Sequence, residues 1–253
     1  MRLKSIYLLF VAVSFSTLSC SYLPDEGINA EGYTISEEKS HFFLLPSGGG
    51  QNNTGIIFYP GGLVDPTGYL DLMGELSTKL SRPVILLKAT GNLSIYNPNL
   101  ASKVLGDYKG QYSNWVIAGH SLGGVVAGQA AAKNPELYSG MVLMASHSIS
   151  DLANWQKPIL ILTGQNDEVY DATEIENNST NIPPITKLDS LNYLPVDGTV
   201  GQTILYEIKG GNHSQFGSYG HQNGDGEAGI SEQEQHDEIV RAIDAFFISN
   251  NIK

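Results

Sequence analysis

Seven short runs of apolar residues recur along the chain: His41 to Leu45, Gly55 to Tyr59, Val84 to Leu87, Trp115 to Ala118, Met141 to Ala145, Ile159 to Leu162 and Thr203 to Ile208. Most are nearly unbroken in hydrophobic side chains, which is the pattern of parallel strands covered on both faces. Between them lie stretches with helical spacing, Tyr69 to Leu80, Leu100 to Tyr108, Leu122 to Lys133 and Glu232 to Phe247. In the last of these Ile239, Ile243, Phe246 and Phe247 fall on one face. Strand alternating with helix predicts an α/β fold: a mostly parallel central sheet, helices on both of its faces, and right-handed crossovers.

A chain of 253 residues suits one such domain, large enough to cover a sheet twice. Its formal net charge of -12 excludes nucleic acid as a partner, because phosphate binding needs a basic footprint. The first residues differ in kind from the rest. Arg2 and Lys4 precede an apolar run from Ile6 to Val13, then small polar residues and the one cysteine of the chain, Cys20. A basic start followed by an apolar run too short to span a bilayer predicts an export signal over 1–19. Thr17-Leu18-Ser19-Cys20 resembles the end of a bacterial lipoprotein signal, with Leu18 two places before the cysteine where such signals usually have it three. That resemblance implies a lipid on Cys20 and a mature protein anchored in a bacterial cell envelope. Residues 20–39 are polar and glycine-containing and are expected to be a tether; residues 40–253 are expected to form the catalytic domain.

Trp115-Val116-Ile117-Ala118-Gly119-His120-Ser121-Leu122-Gly123-Gly124 carries the chemistry. A strand runs into Gly-x-Ser-x-Gly and a helix begins at once. A serine exposed on so sharp a turn needs neighbours with almost no side chain, and Gly119 and Gly123 supply them. The helix that follows aims its first amides at negative charge developing beside the serine.

This arrangement resembles the α/β-hydrolase fold, from about His41 to the end of the chain. The resemblance implies partners in the order serine, acid, histidine, each after a later strand. Pro158 to Asp167 is similar to the acid-bearing strand and loop, which makes Asp167 the candidate acid. Ile204 to His213 is similar to the last strand and histidine loop, which makes His213 the candidate base. Ser121 would attack, His213 would take its proton, and Asp167 would hold the imidazole tautomer. Tyr59-Pro60-Gly61-Gly62 stands where relatives carry His-Gly after a strand, so the resemblance assigns the oxyanion amides to Gly62 and Leu122. The rival histidines are His120 inside the elbow, then His147, His221 and His236; the rival acids are Asp171 and Asp189.

Three stretches resemble a narrower bacterial group of serine hydrolases whose substrates are uncharacterised: Tyr59 to Pro66, Gly119 to Gly124 and Gly210 to Gly220. Dienelactone-hydrolase-like enzymes are neighbours in architecture, but Ser121 stands where they usually carry cysteine. Lid domains of this fold enter after the strand that follows the elbow helix. Here 146–157 is too short to build one, which favours small soluble esters; Tyr193, Phe216 and Tyr219 are available either to line a pocket or, at least as readily, to pack into the core. Asn223, Asp225, Gly226 and Glu232 match positions of a calcium loop, but His221 at its first position is a poor ligand and no helix leads in. No metal and no cofactor are assigned, and the expected substrate is a small-molecule ester. An acyltransferase or peptidase would use the same three residues, and a non-catalytic envelope binding or scaffold protein could keep the same fold.

Overall fold

The computed structural model describes residues 21–24, 31–49, 52–191 and 202–253. The expected export signal and Cys20 lie outside them.

Every apolar run becomes a strand. They are β2 (His41–Pro46), β3 (Thr54–Tyr59), β4 (Val84–Leu87), β5 (Asn114–His120), β6 (Tyr138–Met144), β7 (Ile159–Gly164) and β9 (Thr203–Ile208). Two further strands, β1 (Tyr33–Glu37) and β8 (Ile185–Leu188), complete one sheet in the order β1-β2-β4-β3-β5-β6-β7-β9-β8. β1 pairs with β2, and β2 with β4, antiparallel; from β4 onward each neighbouring pair is parallel. The helices are α1 (Leu70–Leu80), α2 (Leu100–Asp107), α3 (Leu122–Lys133), α4 (Thr173–Asn177) and α5 (Glu232–Ser249).

The two faces of the sheet follow from the alternation of side chains along each strand. Ile56 and Phe58 join the α1 and α5 side of the core, while Ile57 and Tyr59 join the α2 and α3 side. On α5 the expected stripe is buried throughout, with Ile239, Ile243, Phe246 and Phe247 against the sheet. Each such side chain contributes about 2 kcal/mol by leaving water. Ser231 and Glu234 close the start of α5 with a reciprocal capping box. Segment 146–157 contains no helix or strand, so no lid domain is inserted.

The tether expectation fails over much of 20–39. Tyr33 begins β1 and its ring lies against Gly74 of α1, where a Cβ would collide with it. Tyr22 forms a bridge with Val64 in the loop after β3. One aromatic packed against the core in each short piece, Tyr33 buried and Tyr22 half-buried, is enough to dock it, and mean composition hides that.

His236 sits on the buried face of α5, and burial pushes its pKa down to about 4. The ordinary value of an unfolded histidine is near 6.5, so between these two values the unfolded chain binds the extra proton. The stability it permits is therefore present above about pH 6.5 and is lost as pH falls toward 4. His41, His120 and His147 are displaced in the same direction, chiefly by burial. Unfolding free energy measured in urea should be lower at pH 5 than at pH 7, with about 2 kcal/mol of the difference from His236. His236→Gln should narrow that difference; equal stability of the parent chain at both pH values would contradict the assignment.

Candidate active site

Ser121 stands between the end of β5 and the start of α3 with φ 51° and ψ -125°. This backbone is in the left-handed half of φ space, where a non-glycine residue is strained. Its surroundings hold it there. Ser121 N–H donates to the Met144 carbonyl at 2.9 Å, and the Ser121 carbonyl accepts from Gly124 N–H at 3.0 Å and Ser146 Oγ at 2.7 Å. A Cβ on Gly119 would collide with the backbone of Gly123 and Gly124, and one on Gly123 with the carbonyls of Tyr59 and Pro60. The elbow therefore needs both glycines, as expected from the sequence.

Asp167 follows β7 and His213 follows β9, so the parallel sheet delivers both to the edge that carries Ser121. His213 Nδ1 donates to Asp167 Oδ2 at 2.8 Å, and the two side chains are 1% and 3% exposed. The other carboxylate oxygen, Asp167 Oδ1, accepts from Val169 and Tyr170 N–H at 3.0 and 2.8 Å. With Nδ1–H bound to the acid, the neutral ring presents Nε2 as a base. That atom is buried and has no hydrogen-bond partner, so the serine-to-histidine link is not closed in this conformation.

Gly62 and Leu122 lie side by side, since a Cβ on Gly62 would stand 3.0 Å from Leu122 Cδ2. Neither N–H donates to an acceptor among the described residues. Two unspent amides beside a serine at a helix start can stabilise an oxyanion.

A model described as the Alpha/beta hydrolase family matches residues 55–237. The chain belongs to this family. No curated protein matches it. Solved structures share its fold at low identity. Est1E from Butyrivibrio proteoclasticus is 13% identical with a TM-score of 0.56, over 88% of this chain and 100% of that one. A second structure of Est1E, holding ferulic acid, gives the same identity and TM-score over 89% and 99% of the two chains. Alpha/beta hydrolase domain-containing protein 10 from mouse is 14% identical with a TM-score of 0.51, over 84% and 96%.

Within this family frame the rival residues fall away from the serine–histidine axis. His147 contacts Tyr170 and Glu174, and His236 is on α5. Asp171 binds Thr173 in its own turn, and Asp189 is an exposed residue after β8. His120 is nearer: its ring centroid lies 4.4 Å from that of His213. It is fully buried, and burial, reinforced by His213, holds its pKa well below the ordinary range. A neutral His120 keeps a second cation away from the His213 ring.

Three contributors were not legible as site residues. Tyr69 accepts from Gly61 N–H at 3.0 Å and meets His120 Nδ1 at 2.8 Å, so a phenol supports the loop where relatives have histidine. Ser146 holds the elbow from the loop after β6. Asp225 clamps two loops: its carboxylate accepts from the N–H groups of His213, Ser214, Gly226 and Glu168, and from Ser214 Oγ. The Gly-Asp-Gly around it signalled only a calcium position, and these donors occupy the carboxylate instead. Among the described residues no group of three acidic, histidine or cysteine side chains is placed to hold a metal. For Phe216 and Tyr219 the structure decides between the two alternatives in favour of core packing. They are buried, and Phe216 stacks on His120 at 5.4 Å, so they pack behind the elbow and do not line a pocket. Tyr193 lies outside the described residues.

Asp225→Ala leaves several donors unpaired beneath the base and acid loops, a cost of about 2–4 kcal/mol. The melting temperature should fall by on the order of 10 °C, and ester turnover at least about tenfold where the variant is still folded. A variant as stable and as active as its parent would contradict the clamp.

Proposed function

We propose that this chain is a serine hydrolase of carboxylic esters, acting through an acyl-enzyme on Ser121, exported and anchored to the envelope membrane by a lipid on Cys20. The reading is carried by one observation: a buried histidine whose Nδ1 is bound to a buried carboxylate, with its Nε2 unspent, on the edge that holds a strained serine. Membership of the Alpha/beta hydrolase family and the likeness of fold to Est1E are consistent with it.

The steps follow from the atoms available. His213 Nε2 removes the Ser121 proton as Oγ attacks the ester carbonyl carbon. The carbonyl oxygen becomes an oxyanion and accepts from the Gly62 and Leu122 amides. Asp167 stabilises the imidazolium without taking its proton. His213 then hands that proton to the departing alcohol, leaving the acyl group on Ser121. Water repeats the sequence and frees the acid. No step calls for a metal or a cofactor.

Ser121→Ala should remove about 10⁴–10⁶-fold of the turnover of p-nitrophenyl acetate while leaving the melting temperature near the parent value. Asp167→Asn should cost on the order of 10⁴ in turnover by misorienting His213. Parent-like hydrolysis by the alanine variant would remove Ser121 from the mechanism, and a larger loss in Asp171→Asn or Asp189→Asn would move the acid.

A further inference from the structure

The loops beside Gly62 expose apolar side chains that no part of the described chain covers. Leu63 is 41% exposed, Ile95 47%, Tyr96 65% and Leu23 64%. They belong to one connected surface. Tyr22 N–H donates to the Leu63 carbonyl at 2.8 Å, Leu63 N–H donates to the Asn92 carbonyl at 2.8 Å, and Asn92 Nδ2 donates to Ser21 Oγ at 3.0 Å. Ser94 Oγ reaches the Pro60 carbonyl at 3.3 Å, which ties Ile95 and Tyr96 to the same loop.

The stretches that expose these side chains carry no charge within them, although Asp65 and Lys88 flank them. No charged residue occurs between Lys88 and Lys103, between Thr54 and Val64, or between Ser21 and Pro24. Leu63 also has a positive φ of 61°, strained for a branched side chain, and the strain turns its apolar group toward solvent. Exposed aliphatic groups with a tyrosine at their border match a surface that rests in the interfacial layer of a bilayer.

The position of the N-terminal segment names the occupant. Cys20 precedes Ser21 directly, and Tyr22 is pinned to Leu63 and Asp65. Two residues span about 7 Å at most, so a lipid on Cys20 cannot be held away from this patch by a spacer.

We infer that Leu23, Leu63, Ile95 and Tyr96 seat the domain on a membrane surface with the Gly62 side of the serine's edge at the lipid boundary, and that its substrate is an ester carried by that membrane. The second clause rests on the hydrolase reading above. An edge open to its surroundings, without a lid domain, suits a substrate delivered from the bilayer as well as a small soluble one, and the apolar patch selects the former.

The full chain is tested on phosphatidylcholine vesicles. Tyr96→Trp should be quenched at least twofold by brominated-chain phosphatidylcholine. Ile248→Trp, at the exposed end of α5 toward the opposite edge of the sheet, should show no quenching beyond that of the buried Trp115 and Trp155. Equal quenching at both positions, or none at 96, overturns the membrane seat. In the second arm Ile95→Asp should lower hydrolysis of p-nitrophenyl palmitate embedded in the vesicles at least tenfold and keep p-nitrophenyl acetate hydrolysis within twofold. Tyr96→Asp should repeat the split. Equal loss on both esters, or on neither, overturns the membrane-borne substrate. A parent chain that hydrolyses neither ester would instead sink the hydrolase reading, and the quenching arm reads the membrane seat without it.

Discussion

The site depends on one close approach, that of the start of α3 to the end of β3. Gly123 has no side chain because the Tyr59 and Pro60 carbonyls occupy the place of its Cβ. That approach accompanies the strained backbone at Ser121, and the Leu122 side chain lies next to Gly62. The strain is held by tertiary bonds and not by local preference: Met144 accepts from Ser121 N–H on one side, and Ser146 grips its carbonyl on the other. The placement of Gly62 beside Leu122 thus follows from how tightly a helix can be packed against a sheet.

The second layer brings loops that are distant in sequence to the same edge. β7 and β9 pair in parallel, so Asp167 and His213 emerge side by side. Asp225 then binds the backbone of both loops, and Tyr69 spans from the Gly61 loop to His120. These two polar side chains do no chemistry in the proposed mechanism, yet they fix the separation of the groups that do. Burial acts in the same direction by keeping His120 neutral beside the base.

The centre of the sheet was legible because buried parallel strands are written as unbroken apolar runs, and β4, β9 and α3 start and end where the pattern says. The edges were not. β8 is a four-residue edge strand with no fully buried side chain, and β1 alternates like a loop except for Tyr33. α4 is a single short turn region whose sequence carries one buried residue, Ile175. The turn at Ser121 and the pairing of His213 with Asp167 were readable from motif and strand context. Tyr69, Ser146 and Asp225 were hidden because each acts through a contact between residues far apart in sequence. Phe216 and Tyr219 stayed open between two roles, since an aromatic in a loop reads alike whether it lines a cleft or fills the space behind one.

The central claim is that the His213–Asp167 pair makes Ser121 unusually nucleophilic, and covalent labelling tests it most directly. The full chain is treated with a fluorophosphonate, digested, and the modified peptide identified by mass, in parallel with His213→Ala. The account predicts one label per chain, on the peptide containing Ser121, and a labelling rate at least about a hundredfold lower without the imidazole. A label on another serine, or equal rates with and without His213, would contradict it.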